Sequence, residues 1–286
     1  MKRCLACSTL VQDDWVCPRC GYAPKRIEGF LAFAPELATR YADNRTDFQT
    51  LARVEAGNFW FRARNRLIVW AIRRHFPCAK NVLEIGCGTG FVLSGIRSNF
   101  PTISLSGSEV SCAGLAFAAP RVPQASLFQM DARSIPFNEE FDVIGAFDVL
   151  EHIQEDDRVL TEIYHAAKPG GGIIVTVPQH AFLWSTVDET AGHVRRYSAS
   201  ELVNKIERAG FRVVMKTSFV SLLLPLMIAS RLGQRKAGKV VATSEFMLNP
   251  IVNATFEKVL DIERGLVRLG VRFRAGGSLL AVARKQ

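Results

Sequence analysis

The segment 82–90, VLEIGCGTG, constrains the fold of this chain more than any other feature of the sequence. A short apolar run is typical of a strand buried on both faces of a parallel sheet. Glycines directly after such a run allow a sharp turn into a helix and let a ligand approach backbone N–H groups without meeting a Cβ atom. We therefore expect a strand, a ligand-binding turn and a helix, the repeating unit of an α/β fold.

The spacing of these glycines distinguishes between nucleotide-type cofactors. A dinucleotide fingerprint, G-x-G-x-x-G, would need its third glycine at position 91, where this chain has Phe91. The third glycine is Gly90, so the pattern is G-x-G-x-G, and it is preceded by the acidic residue Glu84. A tight strand-to-helix connection without any ligand is the alternative explanation of the glycines alone.

Four more segments are predicted to form the next strands of the sheet, and three of them lead into an acidic residue: Glu109, Asp131 and Asp148. The carboxyl ends of parallel strands lie at one edge of the sheet, where open α/β folds bind ligands. Each carboxylate alone could be a helix N-cap, but three in succession favour a binding crevice. The segments are 103–107, 125–130, 141–147 and 172–177.

The words VLEIGCGTG, DVLEHI and KPGGGIIVTVP, at 82–90, 148–153 and 168–178, resemble motifs of class I S-adenosylmethionine (SAM) methyltransferases, in the group that includes the ubiquinone and menaquinone biosynthetic enzymes. The resemblance covers roughly residues 60–215. It implies a doubly wound, Rossmann-like α/β fold with a seven-stranded, mostly parallel sheet and helices on both faces. It also implies that SAM binds and leaves as S-adenosylhomocysteine, with Glu109 on the ribose and Asp131 on the adenine amino group. The implied cofactor-binding residues are Glu84, Gly86, Cys87, Gly88, Gly90, Glu109, Asp131, Ala132 and Asp148.

Four of the seven cysteines form two C-x-x-C pairs, Cys4 with Cys7 and Cys17 with Cys20. This is the spacing of metal ligands, because each pair lies on a tight turn that directs two thiolates at one ion. A dithiol oxidoreductase would need only one pair, next to a βαβ unit. We therefore predict a structural zinc knuckle or ribbon at residues 1–28, with iron in the same cage as the minor alternative.

A helical cap is predicted at 29–76, ahead of a cofactor-binding core at 77–218. The segment 58–66, NFWFRARNR, resembles the helix that precedes the first motif in a subset of these methyltransferases and closes over the cofactor. That resemblance would place Arg62 or Arg64 at the methionine carboxylate of SAM.

The acceptor pocket is expected in the loop 178–198, because loops at the carboxyl ends of strands determine specificity in this architecture, and this loop is rich in His, Trp, Asp, Arg and Tyr. His152 and His193 are the catalytic candidates, since a histidine can exchange a proton near neutral pH. A single histidine is often only a hydrogen-bonded structural residue, so both alternatives remain open.

A long insertion, 219–275, separates the strand 211–219 from the last core segment, 276–286, and is predicted to be helical. Its first apolar run is too short to span a bilayer. Residues 195–286 carry a net charge of +11, whereas the rest of the chain carries −2. The insertion could pack on the sheet or in a dimer interface, or it could cover a lipid-like acceptor and contact an anionic membrane. The oligomeric state is left open.

The composition, 286 residues with 48% hydrophobic and 22% charged, is that of a globular enzyme, and the first residues contain no apolar signal segment. We expect a cytoplasmic protein that can contact a membrane peripherally. The predicted function is SAM-dependent methyl transfer to a small-molecule or lipid-linked acceptor. One alternative is ribosomal RNA base methylation with an RNA-binding zinc module, because a four-cysteine module followed by IEGFL resembles such enzymes. The other is a non-catalytic scaffold.

Overall fold

The computed structural model describes residues 1–12, 15–40, 45–237 and 248–286, and its centre is one large β-sheet. The strands are β1 (Lys2–Arg3), β2 (Leu10–Val11), β3 (Lys25–Ile27), β4 (Phe30–Ala32), β5 (Asn81–Ile85), β6 (Ser104–Glu109), β7 (Ser126–Gln129), β8 (Phe141–Phe147), β9 (Ala167–Pro178), β10 (Phe211–Phe219) and β11 (Ser278–Lys285). The helices are α1 (Pro35–Arg40), α2 (Arg45–Val54), α3 (Phe59–His75), α4 (Phe91–Asn99), α5 (Cys112–Arg121), α6 (Asp156–Ala166), α7 (Thr186–Thr190), α8 (Ala199–Arg208), α9 (Leu224–Ala237) and α10 (Pro250–Arg268).

Within the described ranges, the central sheet has nine strands in the order β10-β11-β9-β8-β5-β6-β7-β4-β3, so the prediction of seven strands is wrong. The two additional strands come from a hairpin near the start of the chain, in which β4 pairs in parallel with β7 and β3 pairs antiparallel with β4. These strands have three residues each and no clear hydrophobic alternation. They cover the edge of β7, which would otherwise present unpaired backbone groups.

The order of the parallel strands reverses at β5, because β6 lies on one side of it and β8 on the other. In open α/β sheets, the crevice at the carboxyl ends of the strands beside this reversal is the usual ligand site. The segment 86–90 follows β5, and the segment 148–153 follows β8. The topology therefore brings two of the three motifs, those at 82–90 and 148–153, to one crevice.

Both faces of the sheet are covered, which explains why β5 and β8 carry buried apolar residues on both faces. On one face, Leu83 of β5 belongs to a core with Leu160 of α6 and Ile206 of α8. On the other, Val82 belongs to a core with Ile68 of α3 and Leu260 of α10. The architecture is thus the Rossmann-like α/β fold that the sequence predicts.

Helix α10, in the predicted insertion, lies against α3. Glu257 of α10 forms ion pairs with Arg62 and Arg66 of α3, and the buried Glu263 accepts backbone hydrogen bonds from Ser221 at 2.7 Å and Leu222 at 2.8 Å. This helix is therefore fastened to the core. Residues 238–247 of the predicted insertion lie outside the described residues. Among the described helices, none has the length and hydropathy needed to cross a membrane.

Candidate functional site

Three glycines in the turn after β5 have positive φ angles but differ in their surroundings. A Cβ atom on Gly86 would lie 2.5 Å from Val149, and one on Gly90 would lie 3.0 Å from the Cβ of Ala118. A Cβ on Gly88 would meet only the ring of Phe48, at 3.9 Å. Gly86 and Gly90 are therefore required for packing, whereas Gly88 borders open space, as the backbone cradle of a ligand must.

Glu109, at the end of β6, is held by backbone N–H groups. Its Oε2 accepts from Gly88 at 3.1 Å, and its Oε1 accepts from Val110 at 2.8 Å and Ser111 at 3.3 Å. The surrounding atoms desolvate the carboxylate and raise its pKa, which these three donors counteract. The carboxylate is thus fixed beside the glycine turn, where the hydroxyls of a ribose could donate to it.

A second carboxylate, Glu84 of β5, lies below the turn with 3% of its surface exposed, and this burial raises its pKa well above the ordinary value. Its Oε2 has no hydrogen-bond partner among the residues described here. Arg64 of α3 pairs with Asp148 after β8, and its Nε also lacks a partner within the described part of the chain. Of the two predicted arginines, Arg64 lies at the site, because Arg62 pairs with Glu257 instead.

The remaining predicted cofactor residues differ in what they can offer. Both carboxylate oxygens of Asp131 accept from Nε of Arg133, at 3.1 and 3.0 Å, so an adenine amino group would share them with this guanidinium. The side chain of Ala132 is buried. Cys87 is part of the hydrophobic core, so it could contact a ligand only through its backbone.

Glu55, directly after α2, is a site residue that the sequence interpretation missed. Its buried carboxylate accepts from Thr89 Oγ1, at 2.7 and 2.8 Å, and from Arg121 at the end of α5. Thr89 belongs to the glycine turn, so Glu55 connects α2 to the cofactor loop. The sequence around Glu55 offers no recognisable signal for this contact.

The two predicted catalytic histidines lie together. His152 ends a 3-10 turn after β8, His193 follows α7, and their ring centroids are 4.8 Å apart in a nearly perpendicular arrangement. Atoms packed around the His152 ring desolvate it and lower its pKa, and His193 lowers it further, although His152 remains partly exposed. Nε2 of His193 lies 4.0 Å from Glu151, a fully buried carboxylate that the sequence interpretation did not single out.

Asp188 of α7 fixes the orientation of His193. Its Oδ1 lies 2.9 Å from Nδ1 of His193 and accepts from Nε of Arg196 at 2.7 Å. Burial alone would raise the pKa of Asp188, but the hydrogen bonds from His193 and Arg196 outweigh it and lower the pKa to about 2. The imidazole of His193 thus has Nδ1 engaged and Nε2 directed at Glu151.

The loop 178–198 does not supply every side chain that the sequence suggested for the pocket wall. Tyr197 is fully buried and donates to Asp156 at 2.7 Å, a contact that fixes the base of α6. Ser198 caps α8 by accepting from Glu201 N at 3.1 Å. Near the end of β8, the polar side chains that lie together are instead those of Glu151, His152 and His193.

The four paired cysteines come together near the start of the chain. Cys4 Sγ lies 3.6 Å from Cys20 Sγ, Cys7 Sγ lies 3.5 Å from Cys17 Sγ, and all four sulfurs lie within 4.8 Å of one another. Four thiolates at about 2.3 Å from a tetrahedral zinc ion would stand about 3.8 Å apart, so the cluster fits that ion. The module packs on the sheet through Trp15, whose ring centroid is 4.6 Å from that of Phe33.

Comparison with known proteins identifies the class to which this site belongs. A family model described as "Methyltransferase domain" matches residues 44–216, which is more than half of the chain. The chain belongs to this methyltransferase family. Because the segment that matches includes the glycine turn and the strands around it, the enzyme is a SAM-dependent methyltransferase.

Individual relatives of this methyltransferase are distant. A probable S-adenosylmethionine-dependent methyltransferase of Mycolicibacterium smegmatis is 26% identical over 182 residues, 63% of this chain and 69% of that protein. Trans-aconitate 2-methyltransferase of Variovorax paradoxus is 29% identical, over 52% of this chain and 51% of its own length. The fold matches Haemonchus contortus phosphoethanolamine N-methyltransferase 2, solved with SAM, with a TM-score of 0.58, 17% identity, and coverage of 87% of this chain and 60% of that one.

Proposed function

We propose that this methyltransferase transfers the methyl group of SAM to a small-molecule or lipid-linked acceptor that enters beside Glu151, His152 and His193. One observation carries the proposal: Glu151 and His152 follow Asp148 in the turn after β8, His193 lies beside them, and Asp148 pairs with Arg64 at the cofactor crevice. Acceptor and cofactor would therefore meet at the same carboxyl end of the sheet. The two relatives named after trans-aconitate and phosphoethanolamine act on small molecules, which supports this class of acceptor.

The residues of the crevice divide the binding of SAM among them. Glu109 would accept the ribose hydroxyls, Asp131 the adenine amino group, and the open backbone at Gly88 would allow close approach. Arg64, whose Nε is unpaired within the described residues, would donate to the methionine carboxylate. When bound, SAM supplies an electrophilic methyl group on a sulfonium.

The acceptor must lose a proton when an oxygen or nitrogen is methylated, and His152 and His193 are the groups that would assist this loss. His193 is suited to it because Asp188 holds Nδ1 and leaves Nε2 on the side of Glu151. A fixed orientation lowers the cost of aligning the acceptor with the methyl group. We therefore propose that His152 and His193 act on the acceptor, and that the crevice residues act on the cofactor.

Labelled methyl transfer into fractionated cell extract tests this function. The protein would be incubated with tritiated SAM and with lipid, small-molecule and RNA pools, and the Gly88→Val variant would serve as the inactive control. Label in the lipid or small-molecule pool supports the proposal. Label confined to RNA would replace it with the RNA alternative, and intact SAM binding without any labelled product would replace it with a scaffold.

We also propose that Cys4, Cys7, Cys17 and Cys20 hold one structural zinc ion. Four protein ligands would leave no open position for catalysis. The Cys17→Ser variant should lose one equivalent of zinc in metal analysis, and Cys78, which is exposed, offers a matched Cys78→Ser control. Four thiols that react with a thiol reagent before any chelator is added would contradict a metal site.

Residues 195–286, which carry a net charge of +11, support contact with anionic lipid, and we include this contact in the proposal. Leu226 at the start of α9 and Ile251 at the start of α10 are 56% and 77% exposed. Leu223, three residues before Leu226, is 7% exposed. Leu226→Ser should reduce partition to vesicles that contain an anionic phospholipid, whereas Leu223→Ser should lower the free energy of unfolding. Equal vesicle binding by the wild type and Leu226→Ser would exclude this contact.

A further inference from the structure

The environment of Glu151 is unusual for a carboxylate. The side chain is fully buried, and neither oxygen has a hydrogen-bond partner among the described residues. Buried charges are normally paired or bound to a metal, because leaving water costs a carboxylate far more than a single hydrogen bond returns.

Two imidazoles stand next to this carboxylate. Single ligand atoms from Glu151, His152 and His193 all lie within 4.8 Å of one another, and Nε2 of His193 is 4.0 Å from Oε1 of Glu151. Small movements of these side chains would let one ion lie about 2.0 to 2.2 Å from each donor. The donors come from two separate segments, the turn after β8 and the loop after α7, which the fold brings together.

A supporting contact around His193 has the form found at metal centres. Histidines that bind a metal usually engage their other ring nitrogen with a carboxylate, which fixes the tautomer and the ring orientation. Asp188 does this to Nδ1 of His193 at 2.9 Å, and is itself held by the N–H of Ser185 at 2.9 Å and by Arg196. Nε2 is thereby left free to bind an ion. A histidine acting alone as a base would account for Asp188 but not for the unpartnered Glu151 or the adjacent His152.

We propose that Glu151, His152 and His193 bind one divalent transition-metal ion beside the methyl-transfer site. Imidazole ligands favour ions such as Zn²⁺, Fe²⁺, Co²⁺ or Mn²⁺ over Mg²⁺ and Ca²⁺, which prefer oxygen ligands throughout. Three protein ligands leave coordination positions open to an exogenous molecule. This site is separate from the cysteine cluster in both its position and its donor atoms.

The metal also specifies the acceptor, an inference that rests on the proposed function. With both histidines bound to the ion, the metal takes their place as the group that assists proton loss: an acceptor hydroxyl bound at an open position would have its pKa lowered and would release its proton to water. The resulting oxygen would form a bond to the methyl carbon, while the bond between that carbon and sulfur breaks and leaves S-adenosylhomocysteine as a neutral thioether. The acceptor class is therefore a hydroxyl-bearing compound.

Titration of the full chain with Mn²⁺, and separately with Co²⁺, tests the site without SAM or acceptor. Mn²⁺ favours oxygen and nitrogen ligands over thiolates, so the cysteine cluster does not compete, and its free ion can be measured by electron paramagnetic resonance. We expect one Mn²⁺ site in the wild type and at least tenfold weaker binding in Glu151→Gln, His152→Ala and His193→Gln. Glu189→Gln, an exposed glutamate in α7, should bind as the wild type does. His152 is partly exposed, so its replacement keeps the test valid if Glu151→Gln fails to fold.

Binding of neither ion outside the cysteine cluster would overturn the metal site, as would equal Mn²⁺ affinity in the three variants and the control. The role in transfer is tested next: chelator-treated protein should bind SAM normally, lose methyl transfer and recover it when Mn²⁺ is restored. Loss of transfer without recovery would refute the catalytic role of the metal. Absence of SAM binding would refute the proposed function and leave the measured metal site unaffected.

Discussion

The proposed cofactor crevice and the proposed acceptor site lie at the same end of the sheet but are built from different chemical groups. In the crevice, Glu109 accepts hydrogen bonds from three backbone N–H groups, and a glycine turn forms the wall. At the proposed acceptor site, Glu151 accepts none from the described residues, and its neighbours are the side chains of His152 from the same turn and His193 from another loop. A site built from backbone is encoded by a contiguous pattern, whereas one built from side chains depends on how distant segments pack.

The largest expected effect tests whether the crevice depends on open backbone. Gly88→Val should weaken SAM binding by more than about a hundredfold, roughly 3 kcal/mol, because the new side chain would occupy the space bordering the turn. Gly170→Ala is the control, since Gly170 also has a positive φ, of 76°, and a Cβ there would meet no atom within 4 Å. Calorimetry with SAM measures both. Equal losses of SAM affinity in the two variants would attribute the effect to backbone strain, and would contradict a crevice that depends on open backbone.

The second-largest effect on SAM affinity is expected at Glu109, the carboxylate that backbone N–H groups hold in place. Glu109→Ala should cost about 1.5 to 3 kcal/mol of SAM affinity by removing charge-assisted hydrogen bonds to the ribose. Glu207→Ala, an exposed glutamate of α8, should leave the affinity unchanged. Calorimetry with S-adenosylhomocysteine provides the measurement. An unchanged affinity in Glu109→Ala would show that this carboxylate serves only to hold the turn.

The charged groups around His193 should instead affect how the free energy of unfolding depends on pH. The folded pKa of Asp188, about 2, lies below its ordinary 3.8, so its ionised form stabilises the fold by about 2 kcal/mol above pH 4, and this stabilisation is lost as the pH falls toward 2. Urea unfolding of Asp188→Asn should show this deficit at pH 7, and a smaller one at pH 3. Asp157→Asn, a half-exposed control, should change the free energy of unfolding by less than about 1 kcal/mol. A deficit in Asp188→Asn that does not vary with pH would mean that charge does not hold this pocket together.

The smallest effect concerns a crevice carboxylate that already has a partner. Asp131→Asn should weaken S-adenosylhomocysteine binding by about 0.5 to 1.5 kcal/mol, because Arg133 neutralises much of its charge. The analogue S-inosylhomocysteine has oxygen in place of the adenine amino group, so the variant should bind it no worse than the wild type does. An equal loss for both ligands would place Asp131 away from the adenine.

The elements of the sheet could be predicted well where the sequence pattern is local. The strands at Phe141–Phe147 and Phe211–Phe219 have the predicted bounds, because each is a run of apolar or alternating residues that ends in turn residues. The strand Phe30–Ala32 was missed because three residues carry no measurable periodicity. Its position depends on the partner β7, which is remote in the chain.

The candidate site likewise contains residues that a local sequence pattern reveals and residues that only packing brings together. The glycines and Glu109 are recognisable because a turn with a defined spacing fixes them within one segment. His152 and His193 could be named as candidates, but their proximity to each other and to a buried Glu151 follows from packing. Glu55 could not be found at all, since its partners Thr89 and Arg121 become neighbours only in the folded chain.

The contact of Glu55 also has a consequence for how long a cofactor stays bound. The buried carboxylate of Glu55, directly after α2, accepts hydrogen bonds from both Thr89 of the turn and Arg121 of α5. Movement of α2 away from the core would therefore break the contact that holds the turn. The openings that let SAM or its product escape should therefore be those that expose the amides of α2 to hydrogen exchange. Saturation with S-adenosylhomocysteine should slow exchange in α2 and in the turn to the same degree, and Glu55→Gln should shorten the residence time of the cofactor. Helix α2, which is not part of the sheet, would then control how fast the cofactor bound at the sheet is released.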